Sequence, residues 1–171
     1  MGEAKNVRML VLDVDGVMTD GSIVYDDDGR GREIKAFSVR DGFGVRLWRE
    51  AGFAAAIITT RGGEHVRRRA AELQIEHVYE GAHDKGEVVR RLATESGVSL
   101  GEMACLGDDW PDLAMMRLVG YPMAVADAEP LVRERASYIT TRPGGRGAVR
   151  DAVEHLLEGR GLMGEARARY D

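Results

Sequence analysis

Cysteine and long apolar runs are scarce in this sequence of 171 residues, and its 29 acidic residues outnumber its 24 lysines and arginines. Cys105 is the only cysteine, so no internal disulfide can form, and its apolar neighbours predict a buried thiol. No segment approaches the roughly 18 apolar residues that a membrane-spanning helix needs. The net charge of −5 argues against a nucleic-acid surface. We therefore expect a cytoplasmic protein that binds neither nucleic acid nor membranes.

Four familiar ligand-binding patterns are missing as well. The four histidines have no metal-ligand spacing among themselves. Neither the glycine-rich dinucleotide fingerprint nor a Walker loop follows the first apolar run, which argues against a nucleotide enzyme of either type. The acidic turn that begins at Asp26 has Arg30 and Phe37 where a calcium loop needs oxygen ligands. The pattern that remains is the alternation of apolar strands with amphipathic helices.

The most informative stretch is residues 7–21, VRMLVLDVDGVMTDG. Its apolar run, closed by a turn signal, predicts a strand buried on both faces of a parallel sheet. Asp13 and Asp15 follow that run, at the end of a strand where open α/β sheets bind their ligands. Two carboxylates this close together are costly to bury unless a cation or a proton lies between them. This stretch therefore predicts a reactive or cation-binding strand end.

The rest of the chain continues to alternate predicted strands with predicted helices, joined by short connections. Residues 22–39 contain two β-prone runs around a turn rich in Gly and Asp, which predicts a protruding β-hairpin. Further strands are predicted at residues 53–58, 77–79, 103–106, 121–126 and 137–140, with helices between them and a last helix that ends near residue 157. We predict a single α/β domain over residues 1–171, with a mainly parallel sheet between helices and a flexible C-terminal tail from about residue 159.

Polar side chains that could act together on one ligand follow several of these strands. The carboxyl ends of parallel strands lie on one edge of a sheet, so these groups can converge. Clustered carboxylates suit a hard cation such as Mg²⁺, and a hydroxyl with an ammonium suits a phosphoryl group. A carboxylate that faces phosphorus can attack it, and a second carboxylate can transfer the protons. The groups in question are Asp13, Asp15, Thr59, Lys85, Asp108 and Asp109.

The order of these motifs resembles the haloacid dehalogenase superfamily of phosphohydrolases. D-x-D-G, an apolar run with Thr, a Lys and G-D-D-x-x-D occur in sequence between residue 7 and about 125. The resemblance implies a Rossmann-like fold in which Asp13 is the nucleophile and Asp15 the general acid/base. It also implies that Thr59, Thr60 and Lys85 hold the phosphoryl group. Mg²⁺ would be bound by Asp13, Asp108 and the backbone carbonyl of Asp15, with support from Asp109. Asp112 would either support this shell or stabilise a helix N-terminus.

Longer matches narrow the resemblance to one branch without a cap domain. DVDGVMTDG, KAFSVRDGFG, AIITTR, GDDWPDL, VADAEP and GGRGAVR are similar to the 3-deoxy-D-manno-octulosonate 8-phosphate (KDO 8-phosphate) phosphatases. That resemblance implies a sugar-acid phosphate substrate, a role in lipopolysaccharide precursor synthesis, and a homotetramer assembled in part through the hairpin. Neighbouring chains would close each other's sites. Further residues are implied at or near the substrate: Arg40, Asp41, Gly42, Arg61, Arg69 and Arg146.

Two positions in the second motif bear on the substrate. Thr60 replaces the usual glycine of Ile-Thr-Gly-Arg, and its Cβ crowds a backbone N–H expected to face phosphate. We therefore predict altered affinity and retained activity. Arg61 matches the octulosonate branch, whereas the related nonulosonate phosphatases tend to carry an acid there. A cation at this position suits the carboxylate of the sugar acid.

Three alternatives follow from the same residues. A nonulosonate 9-phosphate phosphatase shares the chemistry, and Arg61 argues against it. A phospho-aspartate receiver domain also binds magnesium, but it lacks the second acid that D-x-D supplies for dephosphorylation. An inactive scaffold of the same fold is disfavoured because the motif residues are complete.

Overall fold

The computed structural model describes residues 3–26 and 31–171. The strands are β1 Met9–Leu12, β2 Val24–Tyr25, β3 Glu33–Ile34, β4 Ala54–Ile58, β5 His77–Tyr79, β6 Met103–Gly107, β7 Tyr121–Ala124 and β8 Tyr138–Ile139. The helices are α1 Val39–Glu50, α2 Glu64–Glu72, α3 Lys85–Ser96, α4 Leu113–Met116, α5 Pro130–Arg135, α6 Ala148–Gly159 and α7 Met163–Ala168.

Six strands form one parallel sheet in the order β5-β4-β1-β6-β7-β8. The central strand β1 is buried at all four positions, as its unbroken apolar run predicts. Leu12 pairs with Ile57 on one side and with Leu106 on the other, so β1, β4 and β6 end level with one another. This register brings the polar residues that follow the three strands to one edge of the sheet.

Helices cover both faces of the sheet, so the predicted α/β class is confirmed. α1 packs against α6, and α3 packs against α4. Asp84 caps the start of α3. Its carboxylate accepts from the N–H groups of Gly86 and Glu87. Gly97 ends the same helix at φ +69°, a conformation that glycine adopts readily.

The hairpin is confirmed as a separate two-stranded antiparallel unit, with Val24 opposite Ile34 and Tyr25 opposite Glu33. Its strands are shorter than the predicted runs because α1 already begins at Val39, where the Ser38 side chain accepts from the Asp41 N–H. Residues 27–30 of the predicted turn lie outside the described residues. Within residues 3–26 and 31–171, no other domain is inserted between the strands of the main sheet.

The C-terminal segment differs from the flexible tail that the sequence predicts. Residues Met163–Ala168 form α7, and Met163 and Ala166 are buried. Arg169 donates to the Glu50 carbonyl at 2.9 Å, and the Tyr170 hydroxyl donates to the Glu50 carboxylate at 3.0 Å. Glu50 ends α1, so this segment lies at the end of the sheet opposite the polar strand ends. No helix in the described part of the chain combines the length and apolar character needed to cross a bilayer.

Candidate active site

The carboxyl edge of the sheet holds a cavity of about 300 Å³ whose lining includes Asp13, Thr59, Lys85 and Asp108. Asp13 follows the last residue of β1 and is only 6% exposed. Its Oδ1 atom lies 2.8 Å from Nζ of Lys85, the first residue of α3. The first strand and the intervening lysine are thus brought together as the motifs predict.

Asp112 holds Lys85 from the other side. Its Oδ1 accepts from the Lys85 ammonium at 2.5 Å, and its Oδ2 accepts from the Asp108 N–H at 2.9 Å. Asp112 also closes a capping box with Asp109, whose own carboxylate accepts from the Trp110 N–H at 2.7 Å. Both roles proposed for Asp112 from the sequence are therefore present in one side chain, which supports the site and caps a turn.

Asp108 reaches the cavity because Gly16 leaves room for it. A Cβ on Gly16 would lie 2.0 Å from Oδ2 of Asp108, and Gly16 has a φ of +83°. Both the space and the backbone conformation therefore require glycine at this position. The G in D-x-D-G thus allows the fourth motif to approach the first.

Asp13, Asp108 and Asp112 each offer a carboxylate oxygen, and these oxygens lie within 4.8 Å of one another. Both oxygens of Asp112 already accept hydrogen bonds from Lys85 and the Asp108 N–H, so Asp13 and Asp108 are the better ligands. Oxygen donors of this kind fit a hard divalent cation such as Mg²⁺. This set agrees with the ligands that the resemblance implies, and it leaves Asp112 in a supporting position.

The electrostatics of the cluster also favour a cation. Burial and the carboxylate of Asp112 raise the pKa of Asp13 to about 6, although Lys85 acts in the opposite direction. Burial, Asp112 and Asp13 raise the pKa of Asp108 to about 8. Burial lowers the pKa of Lys85, but Asp112 and Asp13 outweigh it and the net shift is upward. One ammonium thus faces three carboxylates, and a bound cation would relieve the excess negative charge.

The second motif lines the same cavity. The Thr59 hydroxyl accepts from the Arg61 N–H at 3.3 Å, and Thr59 is 1% exposed. The Thr60 hydroxyl donates to the carbonyl of Ala82 at 3.1 Å, which ties the residue that replaces glycine to the loop after β5. Both threonines line the cavity. Their role in holding a phosphoryl group stays a prediction.

Asp15 lies in the cavity lining together with Arg61, but its nearest cation comes from the hairpin. The Lys35 ammonium contacts Oδ1 of Asp15, and Lys35 also lies 2.6 Å from Oε1 of Glu33. Glu33 in turn accepts from the Arg61 guanidinium at 2.7 Å. Sequence reasoning missed Glu33 and Lys35 at the site. The signal available was the alternation of an extended chain, in which residues 33 and 35 point to the same side, although Lys35 lies just beyond the end of β3.

Arg146 follows a glycine-rich segment that packs on the loop after β1. The Gly145 N–H donates to the Val17 carbonyl at 2.9 Å, and a Cβ on Gly144 would lie 1.8 Å from the Gly16 carbonyl oxygen. Arg146 itself is mostly exposed and lies 3.4 Å from the Asp20 carboxylate. The segment thus packs on the loop that follows β1, but Arg146 is not among the residues that line the cavity. A substrate role for Arg146 stays a prediction.

The structure corrects the substrate role that the sequence predicts for Asp41. Asp41 is 3% exposed, and its two oxygens accept from the N–H groups of Gly147 at 3.1 Å and Arg150 at 2.9 Å. Because both oxygens bind the first turn of α6, the carboxylate joins two helices and is not directed at a substrate. The cap of α1 is Ser38, whose side chain accepts from the Asp41 N–H.

Arg40, Gly42 and Arg69 are not brought to the cavity around Asp13 within one chain. Gly42 and Arg69 line a separate groove of about 610 Å³ between α1 and α2, where Arg69 donates to the Ser38 carbonyl at 3.1 Å. Arg40 is exposed on the first turn of α1. A substrate role for these three residues stays a prediction.

The fold and the carboxylate-rich strand ends define a hydrolase of the haloacid dehalogenase type, and comparison with known proteins agrees. A family model described as haloacid dehalogenase-like hydrolase matches residues 57–151. The chain belongs to this family.

Individual relatives show which branch of the family this chain resembles. The chain is 42% identical over 169 residues to the KDO 8-phosphate phosphatase KdsC of Salmonella typhimurium, covering 99% of this chain and 89% of the relative. A crystal structure of the Moraxella catarrhalis KDO 8-phosphate phosphatase with magnesium, phosphate and KDO superposes with a TM-score of 0.94 at 38% identity, covering 98% and 95% of the chains. The cobalt-bound enzyme of Haemophilus influenzae gives 0.91 at 32% identity, covering 96% and 98%. The resemblance predicted from the motifs is confirmed.

Proposed function

We propose that this protein is a Mg²⁺-dependent phosphatase that hydrolyses KDO 8-phosphate to KDO and phosphate, in lipopolysaccharide precursor synthesis. The observation that carries the proposal is the convergence of Asp13, Lys85 and Asp108 in one cavity of a chain that is 42% identical to KdsC phosphatases. Magnesium, phosphate and KDO accompany the Moraxella catarrhalis relative. The protein is an enzyme, and its substrate is a small sugar-acid phosphate.

The geometry supports a two-step displacement at phosphorus. In the first step a carboxylate oxygen of Asp13 forms a bond to phosphorus while the bond from phosphorus to the sugar oxygen breaks. Asp15 gives its proton to that leaving oxygen. In the second step water attacks phosphorus, Asp15 takes the proton of the water, and the bond to Asp13 breaks. Phosphate leaves, and both aspartates return to their starting states.

In our proposal, Lys85 and Thr59 hold the phosphoryl oxygens during these steps. The Lys85 ammonium lies 2.8 Å from the Asp13 carboxylate, so it can bind an oxygen of the group that Asp13 attacks. Thr59 offers its hydroxyl from the neighbouring strand end. Mg²⁺, when bound by Asp13, Asp108 and the carbonyl of Asp15 with Asp109 in support, supplies positive charge that offsets the phosphoryl group and the carboxylates. Positive charge at these positions is worth more in a partly buried site than in water.

Arg61 is the group we assign to the carboxylate of the sugar acid. It lines the cavity, its side chain is 44% exposed, and its guanidinium remains accessible from the mouth of the site. Arg146, which lies 3.4 Å from the Asp20 carboxylate in the loop after β1, is a further candidate for substrate binding. A nonulosonate 9-phosphate phosphatase is the second candidate, and the cation at position 61 disfavours it.

We also propose that the protein is a cytoplasmic homotetramer. The hairpin exposes four apolar side chains, each about half exposed or more: Ile23, Val24, Tyr25 and Ile34. Exposed apolar groups concentrated on one protrusion are typical of a contact surface.

The test is phosphate release, with and without Mg²⁺, from KDO 8-phosphate and from nonulosonate 9-phosphates. We expect Mg²⁺-dependent turnover with a clear preference for the octulosonate in kcat/KM. Asp13→Asn should abolish turnover while the protein stays folded, and Asp15→Asn should slow it and can trap the phospho-enzyme. A preference for the nine-carbon substrates would reject the proposed substrate, and normal turnover by Asp13→Asn would reject the nucleophile.

A further inference from the structure

The hairpin delivers a buried ammonium to the active site. Lys35 directly follows β3, in a unit that protrudes from the domain, yet its side chain is only 1% exposed. The ammonium contacts Oδ1 of Asp15 and lies 2.6 Å from Oε1 of Glu33. Ile34, between the two charged residues, is 49% exposed. The alternation of the strand thus directs Glu33 and Lys35 toward the site and Ile34 away from it.

Four charged groups form a closed ring at this point. Lys35 joins Asp15 to Glu33, Glu33 joins Lys35 to Arg61 through a contact of 2.7 Å, and Arg61 lies 3.9 Å from Oδ2 of Asp15. Each carboxylate lies between two cations, so the charges of the ring cancel. Two members belong to the hairpin, and the other two follow β1 and β4.

The burial of Lys35, whose partners are partly exposed, separates this ring from an ordinary surface ion pair. Surface pairs are largely solvated and contribute little to stability. Here the lysine is almost fully enclosed, and an enclosed ion pair is often no more stabilising than apolar residues of similar size. The ring holds Asp15, the second carboxylate of D-x-D, at the mouth of the cavity. We therefore expect the ring to affect the orientation of the Asp15 side chain more than the stability of the fold.

We propose that Glu33 and Lys35 are positioning residues: Lys35 holds the carboxylate of Asp15 in the orientation needed for proton transfer, and Glu33 holds Lys35 and Arg61 in place. This inference rests on the proposed role of Asp15 as acid and base. Proton transfer requires the carboxyl group to lie within hydrogen-bond reach of the leaving oxygen, and a side chain free to rotate meets that condition only part of the time.

The experiment uses the full-length protein with Mg²⁺ and the variants Lys35→Met and Glu33→Gln. Lys5→Met and Glu154→Gln are matched controls, since Lys5 is an exposed lysine near the opposite edge of the sheet and Glu154 is paired with Arg150 on α6. The readout is kcat/KM for two substrates that differ in leaving group. A sugar phosphate leaves as an alkoxide and needs an acid, whereas p-nitrophenyl phosphate leaves as a stable phenolate and does not.

We expect Lys35→Met to lower kcat/KM for the sugar phosphate roughly 10- to 100-fold, the range seen when a residue that orients a reacting group is removed. The loss for p-nitrophenyl phosphate should be at least several-fold smaller, and Lys35→Arg should recover part of the activity. Glu33→Gln should show the same substrate dependence to a smaller degree. In an Asp15→Asn background, Lys35→Met should have no further effect, because the residue it orients is gone.

Equal losses for both substrates, or a full loss by Lys35→Met in the Asp15→Asn background, would overturn the inference and assign Lys35 a structural role. Activity of Lys35→Met within 2-fold of the parent would overturn it as well. If Lys35→Met does not fold, Lys35→Arg and Glu33→Gln carry the same comparison. If the parent protein ignores KDO 8-phosphate but hydrolyses another alkyl phosphate, the proposed substrate fails, and that alkyl phosphate replaces it in this test.

Discussion

At the scale of single residues, Lys85 is the group that allows three carboxylates to be buried together. Its ammonium lies 2.8 Å from Asp13 and 2.5 Å from Asp112, and Asp108 lies in the same cluster. Removing one partner of a buried ion pair is strongly destabilising because it leaves charge without compensation. The lysine of the third motif therefore supports the fold of the site in addition to any contact with phosphate.

Lys85→Met should lower the free energy of unfolding by about 3–5 kcal/mol at pH 8 without magnesium, because the remaining carboxylates repel one another. The loss should be smaller at pH 5, where Asp13 and Asp108 take up protons. Urea unfolding at the two pH values measures the difference, with Lys5→Met as the control. An equal loss at both pH values would contradict this account of the cluster.

Magnesium should stabilise the protein more at pH 8.5 than at pH 5.5. The pKa of Asp13 is raised to about 6 and that of Asp108 to about 8, so their favourable contribution is complete below pH 3.8 and is lost as the pH rises through these values. Mg²⁺ binds the ionised carboxylates and offsets that loss, whereas protons compete with it at low pH. Thermal unfolding with Mg²⁺ and with a chelator tests this, and a shift in Tm that does not depend on pH would refute it.

At the scale of elements, Asp41 links α1 to α6 through two backbone N–H groups. The partners are Gly147 and Arg150, more than one hundred positions along the chain. The same contact fixes the end of the glycine-rich segment that carries Arg146 and packs on the loop after β1. Burial raises the pKa of Asp41 despite these hydrogen bonds.

Asp41→Asn should lower the free energy of unfolding by about 1–3 kcal/mol, since the amide offers one acceptor oxygen and turns an N–H₂ group toward a donor. Urea unfolding measures the loss, and Glu154→Gln on α6 is the control. Catalysis should change only through the position of the glycine-rich segment, so KM should rise more than kcat falls. A variant as stable as the parent, with kcat strongly reduced, would restore the substrate role.

At the scale of the whole molecule, the hairpin has two different sides. One side places Glu33 and Lys35 in the active site, and the other exposes Val24 and Ile34, which pair with each other across the hairpin. An assembly that covers the apolar side would also hold the charged side in place. Oligomerisation and catalysis are therefore expected to depend on the same short unit.

Ile23→Lys should shift the protein from the proposed tetramer to smaller species, because a charge would have to be buried in the contact. Light scattering coupled to size-exclusion chromatography measures the mass. Leu131→Lys, at another exposed apolar residue on α5, is the control and should leave the mass unchanged. A parent protein that is monomeric, or an Ile23→Lys protein that remains a tetramer, would contradict the proposed assembly.

The order of strands and helices and the residues of the four motifs could be read from the sequence, because each depends on local pattern. Unbroken apolar runs specify strands buried on both faces, and Asp84 and Gly97 mark helix ends through their own side-chain and backbone properties. The polar groups of Asp13, Thr59 and Asp108 were predicted to converge because parallel strands end on one edge. The register of β1 with β4 and β6 places them there.

The tertiary structure alone decided the contacts between segments far apart in the chain. Asp41 reads as a local turn residue, yet its partners belong to α6. Lys35 reads as an exposed hairpin charge, yet it is enclosed beside Asp15. The last residues read as a polar tail, yet Met163 and Ala166 pack as a helix. Local pattern determines which backbone conformation a segment adopts, whereas the partner of a buried charge depends on which distant segment fills the space around it.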